Sequence, residues 1–114
     1  MSQADLAQFT GTEHWYRHGL IRSVLYTDGV KHVADAGGAY WLIDEIAFAQ
    51  RHNIIAAQPL PVWRLIVKDI AGVLTCEDGN GHSGSSKRIA YTDFPLPEIS
   101  FYFTDKTILL PSEY

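Results

Sequence analysis

Residues 27–53, TDGVKHVADAGGAYWLIDEIAFAQRHN, read as two helices joined at Gly37-Gly38, and the chain after them reads as strands that need a cover. Thr27 suits an N-cap, because its hydroxyl can accept from an unpaired N–H of the first turn. Asp28 follows where the helix dipole favours an anion, and the glycine pair stops the helix. From Ala39 onward, Leu42, Ile43, Ile46 and Ala47 fall on one stripe at helical spacing. Arg51 and His52 fill the last turn and Asn53 closes it. The opposite stripe carries Trp41, Asp44, Glu45 and Phe48, which is more aromatic surface than a solvent face requires.

Working outward, the first residues open a short helical turn with Leu6 and Phe9 as its apolar contacts. Residues 14–18, HWYRH, read as extended, since aromatic residues sit well on a pleated surface. Gly19 breaks that segment, and Leu20, Ile21, Val24, Leu25 and Tyr26 lead into the first main helix. Pro59 and Pro61 block any helix in the connector after Asn53. Residues 62–68 alternate, with Trp63, Leu65 and Val67 on one face and Arg64 and Lys68 on the other. Residues 69–72 turn, and residues 73–77 return with Leu74 and Cys76 inward. Residues 78–86, DGNGHSGSS, read as a loop rich in residues that accept left-handed geometry. Strands are expected at 87–92, 98–104 and 107–110, with Ile89 and Tyr91 sharing one face and Ile99, Phe101 and Phe103 another. Short connections imply antiparallel neighbours, and one apolar face per strand implies a sheet covered on one side. The expected fold is α+β, a four- to five-stranded antiparallel meander with a helix pair packed on one face. Residues 1–114 form one domain, 1–61 mainly helical and 62–114 mainly β.

A chain of 114 residues with 46% hydrophobic and 19% charged residues can bury a single core, so disorder is excluded. The net charge of −4 argues against direct nucleic-acid binding, which depends on Lys and Arg neutralising phosphates. Lys87-Arg88 is the one adjacent basic pair. The single cysteine, Cys76, allows no internal disulfide, so a reducing cytoplasm is expected. The first residues, MSQADL, carry neither the basic region nor the apolar run of a leader, and no run approaches the ~20 apolar residues of a membrane span.

Three motifs compete for the glycine-rich loop. Residues 79–84, GNGHSG, fit the dinucleotide pattern G-x-G-x-x-G, but the pattern needs a helix next and a strand is expected there. Residues 81–85 approach the hydrolase elbow G-x-S-x-G, with Ser85 replacing its last glycine and no large parallel sheet to present the nucleophile. Residues 78–80 start like a calcium loop, which then fails at Ser83 and at Ile89, where Gly and Glu belong. No cofactor is expected. His14 and His18 have the spacing of a metal pair on a helix; on a strand they lie ~13 Å apart and cannot share one ion, so no metal site is expected. Cys76, inward on a strand, reads as a buried inert thiol.

Asp44 and Glu45 admit two readings: a solvated helix face, or a partner-binding surface in which Trp41 and Phe48 are aromatic anchors inside a polar rim. A competing arrangement is a small enzyme's or ligand binder's pocket built from His14, Tyr16, His18, Trp41 and Asp44. A third is a homo-oligomer that uses Trp41, Phe48 or an open strand edge as its interface.

Residues 11–16 (GTEHWY), 27–29 (TDG), 37–42 (GGAYWL), 92–97 (TDFPLP) and 110–114 (LPSEY) resemble a family of small uncharacterised bacterial and phage proteins, a domain of unknown function. The resemblance implies a compact stand-alone protein associated with plasmids, phages and other mobile DNA, with no assigned activity and so no catalytic residue to transfer. Taken together, the sequence predicts a non-enzymatic binding or accessory protein that acts on a protein partner away from the membrane.

Overall fold

A computed structural model of the chain describes residues 2–10, 14–49, 61–77 and 83–114. The expected helix end at 50–53 and the first part of the glycine-rich loop, 78–82, lie outside the described residues. The elements in order are α1 (Gln3–Leu6), β1 (Trp15–Arg17), β2 (Leu25–Thr27), α2 (Asp28–Gly37), α3 (Tyr40–Ala49), β3 (Val62–Lys68), β4 (Ala71–Glu77), β5 (Ser83–Ile89), β6 (Glu98–Thr104), β7 (Thr107–Leu109) and a closing 3-10 turn (Pro111–Glu113).

The architecture is α+β, but the sheet is larger than expected. It has seven strands in the order β1-β2-β7-β6-β3-β4-β5, and one pairing, β2 with β7, is parallel. The two further strands are β1, within the segment expected as extended, and β2, while β5 is shifted along the chain. Leu25–Thr27, expected to lead into the helix, is instead β2, bonded to β1 on one side and to β7 on the other. β5 begins earlier than expected, because residues 83–86, expected as loop, join the strand expected from Lys87, in register against β4 from Gly72↔Ile89 to Glu77↔Ser83. Low intrinsic strand propensity is overridden there by a neighbouring ladder that needs partners. Tyr91 falls beyond β5 and is exposed, not paired with Ile89 on a strand face.

The helix boundaries follow local chemistry. The Thr27 hydroxyl accepts from Val30 N–H at 3.4 Å, capping α2. Gly38 ends α2 with φ 60°, a left-handed geometry that favours glycine. Asp105 and Lys106 both take positive φ (51° and 60°), which makes the β6–β7 connection a type I′ turn matched to strand twist.

Both main helices pack on one face of the sheet. Val30, Val33 and Ala34 of α2 and Leu42, Ile43, Ile46 and Ala47 of α3 are buried against Trp63, Leu65, Leu74, Cys76, Ile99, Phe101 and Ile108. Alternate strand residues turn to the other face, where Ile66 and Val73 remain exposed. Burial holds the Cys76 thiol up to about 11, with the neighbouring Glu77 charge adding to the effect.

The chain's end locks onto the start of α2. Glu113 accepts from the Thr27 hydroxyl (2.6 Å), from Gly29 N–H (3.2 Å) and from Leu110 N–H (3.0 Å). A carboxylate at a helix N-terminus satisfies free N–H groups and sits at the favourable end of the dipole. No helix among the described residues is long and apolar enough to cross a membrane.

Candidate functional site

At 100° per residue, the buried stripe of α3 leaves an outward arc running Tyr40, Asp44, Phe48, Trp41, Glu45. All four residues singled out as a partner surface therefore share one side of the helix. Tyr40, Asp44 and Phe48 are exposed, whereas Trp41 and Glu45 are half-buried. The arc has two flanks with different neighbours.

One flank faces α2 and β1. His18, buried beside β1, places Nε2 at 2.7 Å from Asp44 Oδ1, and its Nδ1 accepts from the backbone N–H of Leu20 (3.1 Å) and Ile21 (2.8 Å). A nitrogen accepting two N–H groups carries no proton, so Nε2 is the donor to Asp44. With both nitrogens engaged, the ring holds the turn at 18–21 and ties it to α3. The Phe48 ring meets His18 edge-on at 5.7 Å. The resemblance to a His–Asp catalytic pair ends there, because no lone pair or proton of His18 faces solvent for a substrate.

Further along this flank, the Asp35 carboxylate accepts from Lys31 (2.7 Å) and from the Tyr40 hydroxyl. These bonds hold the Asp35 carboxyl below its ordinary value, and raise the Lys31 ammonium and the Tyr40 phenol. Tyr16 stacks on Tyr26 at 5.6 Å with Lys31 Nζ 5.5 Å from the Tyr16 centroid. Tyr26 is raised chiefly by burial. His14 is exposed; its backbone N–H donates to Asp28 Oδ2 at 3.3 Å, and its ring nitrogen lies 3.8 Å from the same carboxylate. Of the five residues considered as a pocket, the fold thus brings His18 and Asp44 into contact. Tyr16 and His14 pair with other groups, and Trp41 lies on the opposite flank of α3.

That second flank borders a groove of about 440 Å³ between α3 and the strand-to-connector segment 87–93, with Trp41, Glu45, Lys87 and Tyr91 among its walls. Lys87 Nζ bonds Glu45 Oε1 at 2.5 Å across it. Tyr91, 68% exposed, stands free at its rim. Among the described residues no group of three or more His, Cys, Asp or Glu side chains could hold a metal ion.

A family model described as a family of unknown function, DUF6876, matches residues 1–114. The chain belongs to the DUF6876 family. The match runs over both flanks of α3, the groove and the Glu113 clamp, so every part of the candidate site is made of residues within the family's span. No curated protein and no solved structure matches the chain.

Proposed function

We propose that this DUF6876 protein is a non-enzymatic binding protein that engages a protein partner through the outer side of α3 and the groove beside it. One observation carries the reading: aromatic surface is left uncovered on that side. Tyr40, Phe48 and Tyr91 are 43%, 37% and 68% exposed around a concave groove walled by Trp41. Aromatic side chains in and around a groove with a charged rim are what interface anchors look like, since they offer large contact area at low conformational cost. The resemblance to bacterial and phage sequences supports a partner encoded by a host cell or by a mobile element.

The test is site-specific photo-crosslinking in a lysate of the native host. Benzoylphenylalanine replaces Phe48 or Tyr91 in turn, with Tyr114, at least as exposed as either, as the control position. The expected result is one protein captured from both Phe48 and Tyr91 and not from Tyr114. Capture of nothing, or of the same proteins from all three positions, overturns the reading.

A further inference from the structure

We infer that the outer edge of β5 accepts an extended, acidic segment of a partner protein as an added strand; this rests on reading the adjoining groove as a binding site. β5 is the last strand in the sheet order, and its ladder runs to β4 alone. In an antiparallel strand every second residue turns its N–H and C=O away from its neighbour, so β5 offers a row of backbone donors and acceptors. Among the described residues none of these outward groups has a backbone partner. The opposite edge strand, β1, has three residues against seven in β5, too few for a comparable ladder.

Strand addition needs more than an edge. Successive side chains of the incoming segment point to opposite faces, so specificity requires a receiving surface on each. Both are present here. On the helix side lies the groove already described, lined by residues 87–89 at the end of β5 and by the segment 90–93 that follows it. On the other face lies a depression of about 610 Å³ whose β5 residues are the alternate Ser86 and Arg88. Its floor includes Ile66 and Val73, which stand in one cross-strand row with Arg88 through the pairs Ile66↔Val73 and Val73↔Arg88. Ile66 and Val73 are 49% and 42% exposed, an apolar seat next to a cation.

Charge selects the occupant. Lys87 and Arg88 put a cation on each face of this edge in a chain whose net charge is −4. Lys87 is shared with Glu45, while Arg88 has no ion pair among the described residues. In contrast, Arg64 on the neighbouring strand row lies 3.7 Å from Glu77 and 3.3 Å from Glu98. An acidic side chain on the incoming strand would complete the Arg88 position, with a long apolar neighbour on the same face reaching across β5 toward Val73 and residues of the other face entering the Trp41 groove. A second copy of β5 would instead add two more basic residues to one short ladder, where like charges repel.

Random dodecapeptides displayed on phage are selected on the immobilised protein, and synthetic peptides from enriched clones are measured by fluorescence anisotropy. The expected peptides alternate aliphatic and polar residues, are rich in Asp and Glu, and lack proline. Arg88→Glu, at an exposed position, should leave the far-UV circular dichroism unchanged and weaken binding about tenfold or more. N-methylation of alternate peptide amides should abolish binding, since it removes ladder donors while keeping side chains. Peptides indifferent to both changes but lost on Tyr91→Ala would overturn strand addition and leave the groove reading standing. Failure to enrich any clone overturns the inference, while the crosslinking experiment judges the groove on its own. A dimer that the peptide dissociates, seen by light scattering, overturns it in favour of self-pairing.

Discussion

Gly29→Ala offers the sharpest test of how this fold is closed. A Cβ on Gly29 would stand 2.6 Å from Glu113 Oε1, 2.7 Å from Leu110 Cδ1 and 2.8 Å from Glu113 Cδ, all closer than real Cβ contacts allow. Leu110 is buried, so relief must come largely from Glu113 withdrawing. Withdrawal forfeits its bonds to the Thr27 hydroxyl and Gly29 N–H. Bonds to a charged group contribute about 1.5 kcal/mol each at the lower end of their range, so about 3 kcal/mol is lost. Replacing a helical glycine by alanine returns about 1 kcal/mol through propensity. The net destabilisation is about 2 kcal/mol, a fall in Tm of roughly 8 °C for a domain of this size. Urea denaturation of wild type, Gly29→Ala, Glu113→Ala and the double variant measures it directly. The cost of Gly29→Ala should shrink by about 1 kcal/mol or more once Glu113 is gone, because the two act on one contact. A Gly29→Ala variant as stable as wild type, or one equally costly in both backgrounds, refutes the clamp.

Three other outcomes follow from the described contacts. His18→Ala should destabilise by about 2–3 kcal/mol, since two backbone N–H groups and the Asp44 carboxylate lose their partner, whereas Asp44→Ala, at an exposed carboxylate, should cost about 1 kcal/mol or less; equal costs in denaturant titrations would contradict the neutral, turn-holding ring. Cys76, buried and with its thiol raised to about 11, should resist a thiol-reactive disulfide reagent at pH 8 in the native protein and react at once in urea; stoichiometric native labelling would contradict the burial. Asp35, lowered from 3.8 by its bonds to Lys31 and Tyr40, contributes stability that is present above 3.8 and is lost as pH falls through its folded value. Asp35→Asn should therefore flatten the acid limb of a stability-against-pH profile slightly, the effect being small at so exposed a site; an unchanged limb would show that the bonds do not persist in solution.

Much of the fold was legible because burial imposes a period. The α3 stripe and the alternation of Trp63 with Leu65, of Leu74 with Cys76, and of Ile99 with Phe101 all reappear as core positions. The strand that the pattern missed left no such trace. β2 is three residues long, too short to establish a period, and its parallel pairing with β7 joins segments more than eighty residues apart. The first half of β5, residues 83–86, also escaped the pattern, because serine and glycine supply no apolar period and the edge of β4 draws them into the ladder. At the site, sequence reasoning placed His18 and Asp44 in one candidate pocket with His14, Tyr16 and Trp41; the fold brings those two together, 26 positions apart, and engages the other three elsewhere. Glu113 was missed altogether. The available signal was its place three residues after Leu110, the spacing at which a carboxylate reaches back to a turn's first N–H.

The distribution of charge around α3 decides what a partner can recognise. Asp44 is bonded to His18, Glu45 to Lys87, and Tyr40 to Asp35, so the polar groups of the outward arc are already engaged within the chain. What remains for a partner is aromatic surface and the basic edge at Arg88. The two readings of Glu45 therefore predict opposite signs. If Glu45 itself contacts the partner, Glu45→Ala weakens binding. If it acts only to neutralise Lys87, the same substitution releases a second cation at the β5 edge and strengthens capture of an acidic peptide, by about threefold to tenfold at low salt, with the gain fading as salt screens it. Fold stability should change by less than about 1 kcal/mol in either case, since the pair is a surface one. Anisotropy titrations of wild type and Glu45→Ala at two salt concentrations separate the two. Tighter binding that vanishes with salt supports a basic edge masked in part by its own helix, and weaker binding at both concentrations transfers the recognition to the carboxylate.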